Sequence, residues 1–147
     1  MPAAQIHRAL ELLIIEDNPG DIRLLEEAFQ ELRANVHIQV AKDGAEALEM
    51  VLQSSHPSKT WHPDLILLDL NLPKLSGHDV LARIKDDPQT RAIPVIVLTS
   101  SRADSDVRRA YESHANAYLN KPNTLDGLMN AAQDIKSFWM ETVTLPF

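Results

Sequence analysis

The chain alternates between short apolar runs and longer stretches in which apolar residues recur every three or four positions. Five runs read as strands: "LELLIIE" (10–16), "VHIQVA" (36–41), "DLILLD" (64–69), "PVIVLT" (94–99) and "AYLNK" (117–121). The third and fourth are unbroken runs of Leu, Ile and Val, the pattern of strands covered on both faces in a parallel sheet. Between the runs the period becomes helical. Ile22, Leu25, Phe29 and Leu32 share one helix face. "NPGD" opens that helix, with Asn18 as cap, Pro19 at the first helical position and Asp21 in the positive first turn. Asp43 followed by Glu46 resembles a capping box for a second helix carrying Ala45, Leu48 and Leu52. A third helix spans about 77–86 and stops before Pro88. A fourth groups Val107, Ala110 and Tyr111. A fifth carries Leu125, Leu128, Met129, Ala132, Ile135 and Trp139.

Strands alternating with helices form βαβ units, hence an α/β fold with a parallel sheet and helices on both faces. Five units are too few to close a barrel, so the expectation is an open, doubly wound sheet. The chain shows no internal repeat or low-complexity segment. "SSHPSKTWHP" (54–63) reads as a polar loop.

Composition narrows the class. The 147 residues fit one domain. There is no cysteine, which excludes disulfides and thiolate chemistry. No window approaches the roughly 18 apolar residues of a membrane span. The start "MPAAQIHRALELL" lacks a basic region followed by an apolar core, so a signal peptide is not expected. Lys and Arg number 14 against 21 Asp and Glu, a net charge of −7. An acidic domain is poorly suited to binding a nucleic-acid backbone. The expectation is a soluble, cytoplasmic protein without nucleic-acid or membrane partners.

In open α/β sheets, ligands bind beyond the carboxyl ends of the strands. There this chain carries Glu16 and Asp17 after the first strand and Asp69 and Asn71 after the third. Thr99 and Ser100 end the fourth, and Lys121 with Pro122 ends the fifth. One such acid is ordinarily a turn former or cap. Convergence is what gives the set chemical meaning. Three carboxylates at one edge repel one another unless a cation intervenes, and Lys121 supplies one positive charge. An all-oxygen set suits Mg²⁺ rather than zinc.

These residues carry a resemblance. The acidic pair Glu16-Asp17, "LLDLNLP" around Asp69, "VLTSS" around Thr99, and Lys121-Pro122 together resemble the receiver domains of two-component response regulators, over about residues 10–141. The resemblance implies a (βα)5 flavodoxin-like fold with strand order 2-1-3-4-5, an order for which a receiver is itself a standard example. It implies that Asp69 is the phosphoacceptor, forming an acyl phosphate. Mg²⁺ would be held by Asp17, Asp69 and the backbone carbonyl of Asn71, and by Glu16 through a water. Lys121 would pair with Asp69 and then with the phosphoryl oxygens, and Thr99 would donate its hydroxyl to them. Tyr118 would be the switch aromatic, turning inward as Thr99 moves toward the phosphoryl group. The Lys121–Pro122 bond would be cis. The chain departs from the family at His114, where glycine is usual, and at Asn123, where an apolar residue is common.

The resemblance implies a regulator that is not an enzyme on outside substrates. Its phosphoryl donor would be a histidine kinase, and its output a downstream protein target or phosphotransfer protein. The tail, the segment "KDDPQTRAIPVIVLTSS" and the long loop before the third strand are also similar to stand-alone receivers associated with bacterial phytochromes, so a light-sensing bacteriophytochrome kinase is the implied partner. After the fifth helix too few residues remain for a DNA-binding module. The expected organisation is an N-terminal segment (1–9), a receiver domain (10–141) and an apolar C-terminal tail (142–147). Phe138, Trp139, Val143, Leu145 and Phe147 form a large apolar surface for a chain end. They either pack back on the sheet or bury against a second copy in a homodimer.

Two other readings compete. A phosphatase with an aspartyl nucleophile also places Asp at a strand end with Mg²⁺, but needs an acid two residues on, where this chain has Asn71. A phosphorylation-independent binding module would not need the full acid, hydroxyl and lysine set. The histidines (7, 37, 56, 62, 78 and 114) are scattered and complete no zinc pattern. Arg102, Arg108 and Arg109 read as a solvated helix face, with docking of an acidic partner as the alternative.

Overall fold

A computed structural model describes residues 8–54 and 61–146. The middle of the polar loop, His56 included, therefore lies outside the described residues. The elements run β1 (Leu10–Ile15), α1 (Pro19–Glu31), β2 (Val36–Ala41), α2 (Gly44–Ser54), β3 (Leu65–Leu68), α3 (Gly77–Asp86), β4 (Val95–Thr99), α4 (Asp104–Glu112), β5 (Ala117–Asn120) and α5 (Leu125–Ile135). A π-helical segment, Lys136–Thr142, continues α5.

The strands form one parallel sheet in the order β2-β1-β3-β4-β5. Alternation along each strand divides the core in two. Leu13, Ile15, Ile66, Leu68, Val95 and Val97 pack with Val51, Val80, Leu81 and Ile84 on one face. Leu12, Ile14, Leu65, Leu67, Ile96 and Leu98 pack with Leu25, Phe29, Leu128 and Ile135 on the other. All four residues of β3 are buried, so the strand cannot slip by one residue without exchanging its faces. Truncating such a side chain to alanine costs about 2–5 kcal/mol, a large part of a typical domain's stability.

Local signals explain the helix ends. Asn18 Oδ1 accepts the Asp21 amide at 3.0 Å, and Pro19 begins α1. Asp43 Oδ1 accepts the Glu46 amide at 2.7 Å, and Glu46 reaches back to the Lys42 amide at 2.7 Å. His114 adopts a left-handed conformation (φ 72°). Its amide donates to the Tyr111 carbonyl and that of Ala115 to the Ala110 carbonyl, which closes α4 with a Schellman turn. The same backbone geometry that glycine favours is thus formed by a histidine.

Two helical expectations change. Leu125 is 58% exposed rather than part of the core face of α5, because the inward stripe is completed by Leu128, Ala132 and Ile135. The tail divides. Trp139 packs against the core cluster beneath α1 and α5, whereas Phe138 is 51% exposed and meets Trp139 edge to face at 5.4 Å.

Candidate functional site

The register brings the ends of β1 and β3 together, with Ile15 paired to Leu68. The next residues, Glu16 and Asp69, therefore leave the sheet side by side. Glu16 is 3% exposed and Asp69 is 7% exposed, while Asp17 faces solvent. Among the described residues, Glu16, Asp17 and Asp69 form a group whose carboxylate oxygens lie within 4.8 Å of one another. The sheet supplies the precision. The Asp69 amide donates to the Ile15 carbonyl at 3.0 Å, so the backbone at Asp69 is still part of the ladder.

Gly77, at the start of α3, closes this corner. Its amide donates to the Leu70 carbonyl at 2.9 Å. A Cβ there would stand 2.3 Å from the Asp69 carbonyl oxygen and 2.5 Å from Leu70 Cα. Only glycine permits α3 to approach so closely.

Lys121 reaches in from the end of β5. Its backbone amide donates to the Thr99 carbonyl at 2.7 Å, which ties it to the end of β4. Its Nζ donates to Glu16 Oε1 at 2.5 Å, Asp21 Oδ2 at 2.9 Å and Asp69 Oδ2 at 3.1 Å. All three ammonium protons are therefore used. Burial opposes the charge on Lys121, but the hydrogen bonds to Glu16 and Asp21 and the charge of Asp69 outweigh it and hold the amine above the ordinary lysine range. Burial pushes Glu16 up to about 7, against the hydrogen bonds from Lys121 and the Asn18 amide, with the charge of Asp69 adding to the rise. Four carboxylates, those of Glu16, Asp17, Asp21 and Asp69, gather around the one ammonium of Lys121, so the site is short of positive charge.

A divalent cation fits this deficit. The donors are oxygens, two of the three carboxylates are buried and fixed, and the third opens to water. That set suits a small hard ion that keeps part of its water shell. Asn71 sits beside Asp69, and its amide donates to Asp69 Oδ1 at 3.2 Å.

Thr99 is fully buried at the end of β4, and its Oγ1 accepts the Ser101 amide at 3.4 Å. Tyr118 is half-buried on β5, and its hydroxyl donates to the Ser101 carbonyl at 2.9 Å. Burial pushes the phenol above its ordinary range. The structure therefore gathers Glu16, Asp17, Asp69 and Lys121 directly, and links Thr99 and Tyr118 to each other through Ser101.

Two features differ from the sequence reading. No cis peptide bond occurs among the described residues, so Lys121–Pro122 is trans. The trans form is the ordinary preference of an X–Pro bond, by about 0.5–1 kcal/mol. Asp21 is a further member of the site. Sequence reasoning placed it only in the positive first turn of α1. Its signal was that α1 begins at the edge where the acids converge, which aims its first turn at the same ammonium.

The comparisons agree with this geometry. The family model "Response regulator receiver domain" matches residues 12–133. The response regulator Rcp1 of Synechocystis sp. is 43% identical over 135 residues, covering 92% of both chains. The crystal structure of the phosphorylated cyanobacterial phytochrome response regulator RcpA superposes with a TM-score of 0.88 at 40% identity, covering 95% of this chain and 99% of that one. The Mn²⁺-bound form of Rcp1 superposes with a TM-score of 0.85 at 42% identity, covering 94% and 99%. A buried carboxylate at the end of β3, paired to a lysine from β5 inside an acidic pocket, and a family match across most of the sheet lead to one conclusion: the chain belongs to the response regulator receiver family of two-component phosphorelay signalling.

Proposed function

We propose that Asp69 is the residue that accepts the phosphoryl group, and that its donor is the phosphohistidine of a histidine kinase. The observation that carries this reading is the 3.1 Å pairing of Asp69 with Lys121 beside Glu16 and Asp17. A carboxylate oxygen of Asp69 attacks phosphorus, the P–N bond to the histidine breaks, and an acyl phosphate remains on Asp69. Lys121 starts on Asp69 and moves its hydrogen bond to a phosphoryl oxygen. Thr99 turns its hydroxyl toward the same group and releases the Ser101 amide.

Glu16, Asp17, Asp69 and the Asn71 carbonyl are the residues we assign to Mg²⁺, with Glu16 acting through water. When bound, the ion supplies positive charge against the phosphoryl oxygens. Phosphoryl transfer depends mostly on positioning and charge neutralisation, and the chain's own residues are arranged for both. The Mn²⁺-bound form of Rcp1 supports a divalent ion in a pocket of this kind.

The similarity to RcpA, a cyanobacterial phytochrome response regulator, supports a phytochrome kinase as partner. We read the chain as a cytoplasmic signalling module rather than an enzyme, with its receiver fold at 10–141. Among the described residues no helix is long and apolar enough to cross a membrane. Tyr118 is the switch aromatic in this reading, and a downstream protein or phosphotransfer protein reads its position. The exposed ring of Phe138 supports a homodimer that uses the tail.

The deciding experiment is incubation with acetyl phosphate and Mg²⁺, followed by intact mass. A gain of one phosphoryl group in the natural chain and none in Asp69→Asn is expected. An unmodified mass in both, or modification of both, would overturn the assignment of Asp69.

A further inference from the structure

Ser101 lies in the loop between β4 and α4, and several interactions converge on it. Its carbonyl accepts the Tyr118 hydroxyl and the Asn120 side-chain amide, each at 2.9 Å. Both lone pairs of that carbonyl are thus in use. Its amide faces Thr99 Oγ1, and its hydroxyl donates to Asp106 Oδ2 at 2.5 Å. A loop residue ordinarily moves easily. This one is also fastened through its hydroxyl, by Asp106.

The fastening comes from α4 and α3. The cap position of α4 is Ala103, which makes no side-chain hydrogen bond to the helix. Asp106, in the first turn, bridges Ser101 to His78, whose Nε2 lies 3.0 Å from Asp106 Oδ1. The His78 side chain is 7% exposed, and its Nδ1 is buried without a partner among the described residues. A buried unpartnered nitrogen costs free energy. An apolar side chain would fill the position without that cost, so the bond to Asp106 is what the imidazole adds. His78 adjoins Gly77, which packs on the backbone of Asp69 and Leu70. A continuous path therefore runs from the backbone of Asp69 through α3 and Asp106 to the Ser101 carbonyl, without passing through Thr99.

We propose that His78 and Asp106 are positioning residues for the switch: they hold Ser101 where its carbonyl receives the Tyr118 hydroxyl. This rests on the reading of Tyr118 as the switch aromatic. With the fastening intact, the bonded position of Tyr118 has a fixed acceptor. Without it, the loop and the ring release together. Losing one such hydrogen bond shifts the ratio of bonded to released ring about fivefold.

The chain has two tyrosines, so 3-fluorotyrosine labelling gives two ¹⁹F resonances, assigned with Tyr118→Phe. Spectra are recorded on the full chain with Mg²⁺, before and after beryllofluoride, a phosphoryl mimic. In His78→Leu and Asp106→Leu the Tyr118 resonance of the untreated protein is expected to move toward that of a released ring. His78→Gln, whose Nε2 can donate at the same place, is expected to restore it, which a merely structural fastening of α3 to α4 would not require. Ser101→Ala removes only the hydroxyl and keeps the test alive if the leucine variants do not fold. A Tyr118 resonance unchanged in all the disrupting variants overturns the proposal. A natural chain whose Tyr118 resonance ignores beryllofluoride overturns the switch reading instead, while the untreated spectra still decide whether His78 and Asp106 place the ring.

Discussion

Lys121 Nζ stands 2.9 Å from Asp21 Oδ2, nearer than the 3.1 Å that separates it from the proposed phosphoacceptor Asp69. The first turn of α1 therefore helps to aim the ammonium. Asp21→Asn is expected to lower the rate of phosphorylation by acetyl phosphate about fivefold, the equivalent of ~1 kcal/mol for one partly exposed charged hydrogen bond. Melting temperature should hardly change. A rate equal to that of the natural chain would show that Glu16 and Asp69 hold Lys121 unaided.

Gly77→Ala tests the corner where α3 meets β3. The added methyl carbon would meet the Asp69 carbonyl oxygen at 2.3 Å, and backbone cannot swing aside as a side-chain tip can. A loss of about 1–3 kcal/mol is expected from overpacking, measured by urea unfolding. Phosphorylation should slow as well, because the displaced backbone carries Asp69.

Asp64 supplies a pH dependence away from the site. It is buried, and its carboxylate takes two hydrogen bonds from Arg8 at 2.6 and 2.9 Å and one from the Glu11 amide at 2.8 Å. Burial alone would raise its pKa, but the hydrogen bonds from Arg8 and the Glu11 amide outweigh it and the net shift is downward. A depressed folded-state pKa means that the unfolded chain takes up the proton first on acidification. The stabilisation is therefore complete above the ordinary carboxylate range and fades as pH falls through the folded pKa. Asp64→Asn should cost about 1–3 kcal/mol at pH 7. Its deficit relative to the natural chain should shrink in acid, as read from denaturant unfolding between pH 7 and 3.

The tail separates stability from assembly. Trp139 packs on the core cluster and Phe138 does not. Trp139→Ala is expected to cost about 3 kcal/mol at most, the lower end for a large aromatic that is only partly buried. Phe138→Ala should leave unfolding unchanged and weaken self-association in analytical ultracentrifugation. A concentration-independent monomer in the natural chain would remove the dimer reading.

Much of this was legible one element at a time. The runs of β3 and β4 read as buried parallel strands because a side chain covered on both faces leaves a continuous apolar signature. Asn18, Pro19 and Asp43 marked helix starts because caps are local hydrogen bonds. His114 was harder. Its left-handed turn is set by the carbonyls of Ala110 and Tyr111 and by the buried Ala115 after it, so the backbone conformation follows from how α4 must end against β5. Leu125 misled because a period of three to four residues names a stripe but not its limits.

The site divides in the same way. The sequence by itself determined that Glu16, Asp17, Asp69, Thr99 and Lys121 gather at one edge, because each ends a strand and parallel strands end together. It could not rank the partners of Lys121, nor join His78 to Asp106 and Ser101. The contacts of Lys121 and the bond between His78 and Asp106 link residues 28 to 105 apart along the chain, and their distances depend on sheet order and on how closely α3 rests on β3. Only the tertiary structure decides them, because a side chain's choice among several acceptors turns on tenths of an ångström that packing sets and periodicity does not encode.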